Sequence, residues 1–440
     1  SLASQAQIER AVAVAGQAFR EYRRLPAHRR SQMLLSVSHA LQERGEELAR
    51  LIAQEVGKPI RTARLEAARA VQTFRLAAEE AGRLYGEAIP MDIVPAGEGR
   101  TGYYIRQPIG VVAAITPFNF PLNLVAHKVA PALAAGNTVV HKPASHCPLT
   151  ALELGKLLVE AGFPPGAVSV LPCPGSQADV LVESPQVAMI SFTGSTAVGR
   201  EIRSRAGLKR VALELGSNAA NIVCPSADLD RAAEALAIGG FAYAGQVCLS
   251  VQRVYVQRSI WGPFLERFLP RVESLKVGDP LEETTDLGPM IAEEEARRAE
   301  DWIAEALEGG AKLLLGGNRR KGAFLRPAVL TNTHTQMRVM REEVFAPVVS
   351  LTPYDTFPEA VALANDSRYG LNAAVFTQDL AEAIQAVEEL EAGSVIINDS
   401  SAYRADHMPY GGVKESGLGR EGVRFAMQAM TEIKFACIRL

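Results

Sequence analysis

The chain has 440 residues, 48% of them hydrophobic and 22% charged, with a formal net charge of −3. A chain of this length outgrows one hydrophobic core, so packed domains with discontinuous boundaries are expected, and the ordinary composition excludes disorder. Arg-rich and Glu-rich stretches alternate, which leaves no basic face for nucleic acid, and apolar runs such as 111–115 are far too short for a membrane span. No secretory signal opens at Ser1, although the chain begins without Met and a leader could precede it. The five cysteines form no CxxC pair, and the odd count argues against a disulfide framework, so a reducing cytoplasm is expected.

Residues 1 to about 85 read as helices, because apolar residues recur at three- and four-residue spacing, most plainly over 31–52 and 62–84. From Tyr103 the pattern changes to short β-branched runs at 110–116, 137–142, 168–171, 188–193 and 221–224, with helical segments between them. Parallel neighbours need a crossover that is usually helical, so this alternation predicts a mainly parallel sheet covered on both faces. Ligands in such sheets bind at the carboxyl ends of strands. A second α/β unit starts with a helix over 230–244 and runs through a strand at 253–257, a helix over 293–308 and strands at 348–351 and 394–398.

Several short segments carry chemistry. Phe241-Ala-Tyr-Ala-Gly-Gln-Val-Cys248-Leu-Ser places a thiol just after a Gly-Gln pair where a helix breaks, leaving amides free nearby. A thiolate adds readily to a carbonyl, and the adduct can expel hydride to leave a thioester. An isolated cysteine is more often a buried hydrophobe, and the other four keep that reading. Val211-Ala-Leu-Glu214-Leu-Gly-Ser-Asn218 ends an apolar strand on one carboxylate; this is a solvated edge residue or, if burial raises its pKa, a general base for water. In Ile115-Thr-Pro-Phe-Asn119-Phe-Pro121 the Asn is a turn residue or an amide donor to an oxyanion. Phe192-Thr-Gly194-Ser195-Thr-Ala-Val-Gly199 runs from a strand into a helix start suited to phosphate, and Val139-Val-His-Lys142-Pro143 puts a Lys at a strand end within reach of ribose or phosphate.

Together with Arg341-Glu-Glu343-Val-Phe345-Ala-Pro347 and Met408-Pro-Tyr-Gly-Gly-Val-Lys-Glu-Ser-Gly-Leu-Gly-Arg420, these segments resemble the ordered signature set of the aldehyde dehydrogenase superfamily across almost the whole chain. The resemblance implies an α/β fold in three parts. A Rossmann-like dinucleotide-binding domain would take 1–85 and 108–216, a catalytic domain 217–428, and a small β oligomerisation element 86–107 with 429–440. It implies Cys248 as nucleophile, Asn119 and the Cys248 amide as oxyanion hole, and Glu214 as base for thioester hydrolysis. It implies NAD or NADP as cofactor, no metal, and a homodimer or homotetramer. Lys142 and Glu343 would hold ribose hydroxyls, Phe345 would pack by the nicotinamide end, Gly194 and Ser195 would face the pyrophosphate, and Val198 would line the adenine pocket. Ile115, Thr116, Pro117, Phe118, Pro143, Gly175, Phe192, Leu215 and Gly216 complete the implied cofactor contacts.

The departures from the family pattern are informative. Phe118 stands where Trp is frequent, and Ser217 and Ala346 where Gly is, without touching the chemistry. Ser145 replaces a Glu that NAD-preferring relatives use on the adenosine ribose, which removes a repulsion against a 2′-phosphate, so NADP is expected to be usable. His127, on the helix that lines the family's aldehyde tunnel, is a packed histidine or a partner for a hydroxyl or anion. Arg69 and Arg404 are surface arginines or further ligands of that group. Val247 argues the other way, since some relatives that bind phosphorylated or sulfonated aldehydes have Arg there; it and Leu249 are expected to flank the thiol in the substrate pocket. A small polar or anionic aldehyde is expected. Two rivals remain at this point: a coenzyme A-acylating relative, against which Glu214 weighs, and a cofactor-independent cysteine hydrolase, for which no His flanks Cys248.

Overall fold

The computed structural model describes residues 2–439, so Ser1 and Leu440, at the ends of two expected segments, lie outside the described residues. Four helices lead in: α1 (Gln5–Tyr22), α2 (Ala27–Glu43), α3 (Gly45–Val56) and α4 (Ile60–Glu80). The helical stretch read over 31–52 is divided between α2 and α3, because Arg44 sits at φ −97° and ψ 16° and breaks the ladder just before Gly45. Helix α3 stops at Gly57, which adopts the left-handed φ of 69° that costs glycine nothing.

The first sheet contains β3 (Val111–Ile115), β4 (Thr138–Lys142), β5 (Val168–Val170), β6 (Val187–Thr193) and β7 (Arg210–Glu214), in the spatial order β7-β6-β3-β4-β5. These strands are parallel, and the short strand Gly417–Leu418 closes the β7 edge in antiparallel fashion. Both faces are apolar for a simple reason of period. Val112, Ala114, Val139 and Met189 point into a core shared with α2 to α5, where α5 is Asn123–Ala135; their neighbours Val111, Ala113, Val140 and Ile190 point into a second core with α1. The chain winds outward from β3 to β5 and then returns to β6 on the other side of β3. The crevice between β3 and β6 is thus the switch point at which an open α/β sheet binds its ligand.

The second sheet has the order Lys312–Gly316, Ala328–Thr331, Val348–Tyr354, β9 (Arg253–Gln257), β8 (Ala220–Val223), Asn372–Phe376 and Ser394–Ile397, antiparallel only at its first pair. A third sheet joins β1 (Glu87–Ile89), β2 (Arg100–Pro108) and the terminal strand Thr431–Arg439, the last two paired along nine residues. Its side chains Ile105, Ile433, Phe435 and Ile438 remain exposed. Among the described residues, no helix is long and apolar enough to cross a membrane.

Candidate active site

Four parallel strands end together. Ile115 of β3 pairs with Lys142 of β4 on one side and Phe192 of β6 on the other, and Thr193 pairs with Glu214 of β7. Beyond these ends lies a cleft of about 290 Å³, whose walls include Asn119, Ser195, Gly216, Cys248, Glu343 and Phe345. Pro117, Phe118, Gly194 and Leu215 also line it, so ten residues named from the sequence share one cavity.

The thiol reaches the cleft through a turn, not a helix. The helix Leu229–Phe241 ends earlier than the expected 244 because Tyr243 and Ala244 adopt left-handed φ values of 49° and 52°. Such values are costly for residues with a Cβ. They are held by packing: Tyr243 and Ala244 are buried, and the Tyr243 hydroxyl donates to the Val56 carbonyl at 2.7 Å. Gly245 must be glycine, since a Cβ there would lie 2.1 Å from the Ala346 carbonyl oxygen. The Cys248 Sγ lies 3.1 Å from the Tyr410 hydroxyl. Burial pushes the thiol up to about 11, against the pull of that hydroxyl and of Arg404.

Asn119 is buried, and its Nδ2 donates to the Gln246 carbonyl at 3.1 Å, which ties the Asn119 turn to the Cys248 turn. Gln246 is itself locked, its Oε1 accepting from the Ile291 amide and its Nε2 donating to the Tyr243 carbonyl.

Glu214 is 3% exposed, and neither carboxyl oxygen has a hydrogen-bond partner. It does not form part of the cleft wall; its Oε1 lies so near Gly411 that a Cβ there would approach within 2.8 Å. Burial raises its pKa well above the ordinary carboxylate range, and the neighbouring Glu421 charge adds to the rise. Glu421 goes the other way: although burial opposes it, Lys128 and Arg404 bring its carboxyl down to about 2. Two close carboxyls with opposed environments share one charge, which is how an acid and its conjugate base are kept apart in one site.

Of the cofactor contacts expected from the sequence, Pro117, Phe118, Gly194, Ser195, Leu215, Gly216, Glu343 and Phe345 line the cleft. Ser195 is the N-cap of the helix Thr196–Arg205, its hydroxyl accepting from the Val198 amide, and the first turn of that helix carries no acidic residue. The Lys142 ammonium is buried with only the Pro143 carbonyl as hydrogen-bond partner, and Thr193 Oγ1 is buried without one. The Glu343 carboxylate accepts from the Ser217 amide and rests against Gly216, where a Cβ would come within 2.6 Å of it. Phe345, at φ 49°, meets Phe118 edge to face at 6.0 Å. Ser145, Gly175 and Val198 are exposed and are not among the residues that line the cleft, while Thr116 is taken up by His141. A buried ammonium with no carboxylate partner among the described residues, a helix N-terminus and a carboxylate beside glycine fit a dinucleotide, which would set its phosphates at the helix start and its ribose hydroxyls by Lys142 and Glu343.

The residues expected to bind substrate have internal partners, and none of them lines the cleft described above. Asp406 accepts from Arg69 at 2.7 Å, His127 Nε2 at 2.9 Å and Asn123 at 3.1 Å. Although burial opposes it, His127 and Arg69 hold the Asp406 carboxyl well below its usual range. His127 is fully buried, with Nδ1 unpartnered. Arg404 lies 3.7 Å above the Tyr410 ring and donates to Glu421 at 3.0 Å, leaving its buried Nε free. Val247 and Leu249 pack with Leu371 and Tyr410 behind the thiol. Sequence reasoning missed Tyr410, Gln246, Asp406 and Glu421. Tyr410 belongs to the run Met408–Arg420 named above and Glu421 follows it directly, but nothing local marks Tyr410 as the side chain that meets the thiol.

Fold and cleft together define a nicotinamide-dependent oxidoreductase built around a thiol. The profile described as "Aldehyde dehydrogenase family" matches residues 1–436. The 3-sulfolactaldehyde dehydrogenase of Priestia aryabhattai is 48% identical over 441 residues, covering 100% of this chain and 92% of that protein. The crystal structure of aldehyde dehydrogenase 21 from Physcomitrella patens, in complex with the reaction product succinate, superimposes with a TM-score of 0.98 at 45% identity, covering 100% of this chain and 91% of that one. Glyceraldehyde-3-phosphate dehydrogenase from Methanocaldococcus jannaschii, complexed with NADP, gives a TM-score of 0.96 at 42% identity, covering 100% and 96%. The chain belongs to the aldehyde dehydrogenase family. Its reaction is the oxidation of an aldehyde to the acid with NAD(P) as acceptor. The cofactor-independent hydrolase and the coenzyme A-acylating reading are not favoured.

Proposed function

We propose that the substrate is a small aldehyde with a polar or anionic distal group, and that Cys248, Asn119 and Glu214 carry the chemistry. The Cys248 thiolate adds to the carbonyl carbon, and the oxyanion that develops is held by Asn119 Nδ2 and the Cys248 amide. Bound NAD(P) supplies the hydride acceptor. Loss of hydride from the tetrahedral carbon leaves a thioester on Sγ. Glu214 then takes a proton from water, the hydroxide adds to the thioester, and the acid leaves as the thiolate is restored.

The observation that carries the substrate reading is the Arg404 guanidinium stacked on Tyr410, whose hydroxyl touches the Cys248 Sγ. Glu421 balances the Arg404 charge, but the buried Arg404 Nε keeps a donor without a partner, which suits a polar or anionic distal group on the aldehyde. Arg69 and His127 are both spent on the Asp406 carboxylate, two residues from Arg404, so they brace the loop that carries it. The names of the relatives point the same way, toward a sulfonated aldehyde and a product dicarboxylate.

NADP is accepted because Ser145 offers no charge against a 2′-phosphate. The remaining parts follow the family pattern: a dinucleotide-binding domain from 1–85 and 108–216, a catalytic domain from 217–428, and oligomerisation through the exposed third sheet, giving a homodimer or homotetramer in the cytoplasm. The deciding experiment is a rate panel of lactaldehyde, succinic semialdehyde, 3-sulfolactaldehyde and hexanal with each cofactor. The charged aldehydes should lead in kcat/KM, and Ser145→Glu should move the NADP/NAD ratio roughly tenfold or more toward NAD. Hexanal matching the anionic substrates, or an NAD preference above ~100-fold in the parent, would overturn these readings.

A further inference from the structure

Lys58 and Glu66 form a fully buried ion pair well outside the cleft, with both side chains at 0% exposure. A buried charge pair is expensive to desolvate and often no more stabilising than apolar residues of equal volume, so its retention calls for an explanation other than stability. The contacts supply one. The Lys58 ammonium lies 3.7 Å from the centre of the Phe120 ring and 4.8 Å from that of Tyr243. Phe120 follows Asn119 directly, and Tyr243 is the strained residue that begins the turn into Cys248. Glu66 Oε1 accepts from the Leu122 and Asn123 amides at 2.9 and 3.1 Å, fixing the chain just after Asn119 at the start of α5. Its Oε2 takes the Lys58 ammonium.

Lys58 cannot drift. Gly57 is wedged against Gly288 and Pro289, where a Cβ on Gly288 would lie 2.0 Å from the Gly57 carbonyl oxygen, and the Ile60 amide donates to the Pro280 carbonyl. The same 288–291 segment supplies the Ile291 amide that locks Gln246. Two aromatic faces, one from each catalytic turn, thus close on one immobile cation.

We infer that Lys58 and Glu66 are positioning residues that set the distance between the Asn119 amide and the Cys248 turn. This rests on the oxyanion role given to Asn119 above. Oxyanion donors act only within a narrow window of distance, so a small relaxation of Phe120 from Tyr243 slows acylation without altering what is bound.

Single removal of either charge strands the other, so the test is the paired neutral variant Lys58→Met/Glu66→Gln, whose Gln keeps an oxygen for the two amides. Its thermal midpoint should stay within a few degrees of the parent. With NADP and succinic semialdehyde, KM should change by less than about threefold, while the single-turnover rate of the hydride burst falls at least about tenfold. Combined with Asn119→Ala, which by itself slows the burst by about 10², the pair should add less than about twofold, because it acts through that amide. A loss of equal size in both backgrounds, or loss of the fold in the paired variant, would overturn the positioning role and leave the oxyanion reading intact. An unaltered burst in Asn119→Ala alone would overturn the oxyanion reading and this inference with it.

Discussion

Glu214→Gln separates the two halves of the reaction. The carboxyl is buried, carries no hydrogen bond, and has its pKa raised by burial and by Glu421, so it resembles a protonated acid that the amide copies in size and charge. Folding should survive. The unfolded carboxyl titrates near ~4.3 and the folded one higher, so whatever stability the proton provides is complete below ~4.3 and is lost as pH rises through the folded value. Gln cannot lose that proton, and the variant should therefore gain on the parent in stability as pH rises. Catalysis should suffer in one step only. General base catalysis contributes about 10²–10⁴ in rate, or about 2.7–5.4 kcal/mol at ~1.36 kcal/mol per decade. Stopped-flow absorbance of the reduced nicotinamide should show a burst of near-parental amplitude and rate, followed by a steady state slower by that factor. In the parent, kcat should climb with pH as Glu214 loses its proton, and this limb should vanish in the variant. A steady-state rate unchanged by the substitution would refute the assignment of Glu214 as the hydrolytic base, and loss of the burst would place it in acylation instead.

Three further outcomes follow from the charges in and behind the cleft. Because burial holds the Cys248 thiol up near 11, alkylation of cofactor-free protein by iodoacetamide, followed by mass spectrometry of the Cys248 peptide, should climb roughly tenfold per pH unit between pH 7 and 9. Tyr410→Phe, which removes the hydroxyl that lowers the thiol pKa, should slow that reaction at fixed pH; faster labelling would count against the contact. Asp406→Asn leaves Arg69 and His127 around a neutral acceptor and should cost about 3–5 kcal/mol near neutrality, as expected for breaking a buried charged cluster. The Asp406 pKa is depressed in the fold, so this stability is present above the unfolded value near ~3.9 and fades as pH falls toward the folded one. Urea midpoints of variant and parent should accordingly converge in acid, and a gap that widens there would refute the role of the carboxylate.

The sequence by itself determined what depends on neighbours along the chain. Period-two runs such as 110–116 and 188–193 became β3 and β6 with ends shifted by a residue, since alternate side chains had to enter two separate cores. Helix 293–308 was legible to the residue, because its acidic first turn and apolar spacing are both local. The motif residues Asn119, Cys248, Gly216 and Glu343 were legible because their chemistry depends on short turns that the motif itself spells out.

Only the tertiary structure decided the electrostatics of those groups. Whether Glu214 keeps its proton depends on its burial and then on Glu421 and Lys128, and it is Tyr410 that links Arg404 to the thiol. Arg69 and His127 meet through Asp406, more than 250 residues away in the chain. Tertiary packing likewise overrode helical spacing at Tyr243 and Ala244, where the turn that delivers Cys248 needed a conformation no local preference favours. Periodicity and propensity act over a few residues, whereas desolvation and Coulomb energies depend on what folding brings within a few ångströms, and a linear sequence does not record that neighbourhood.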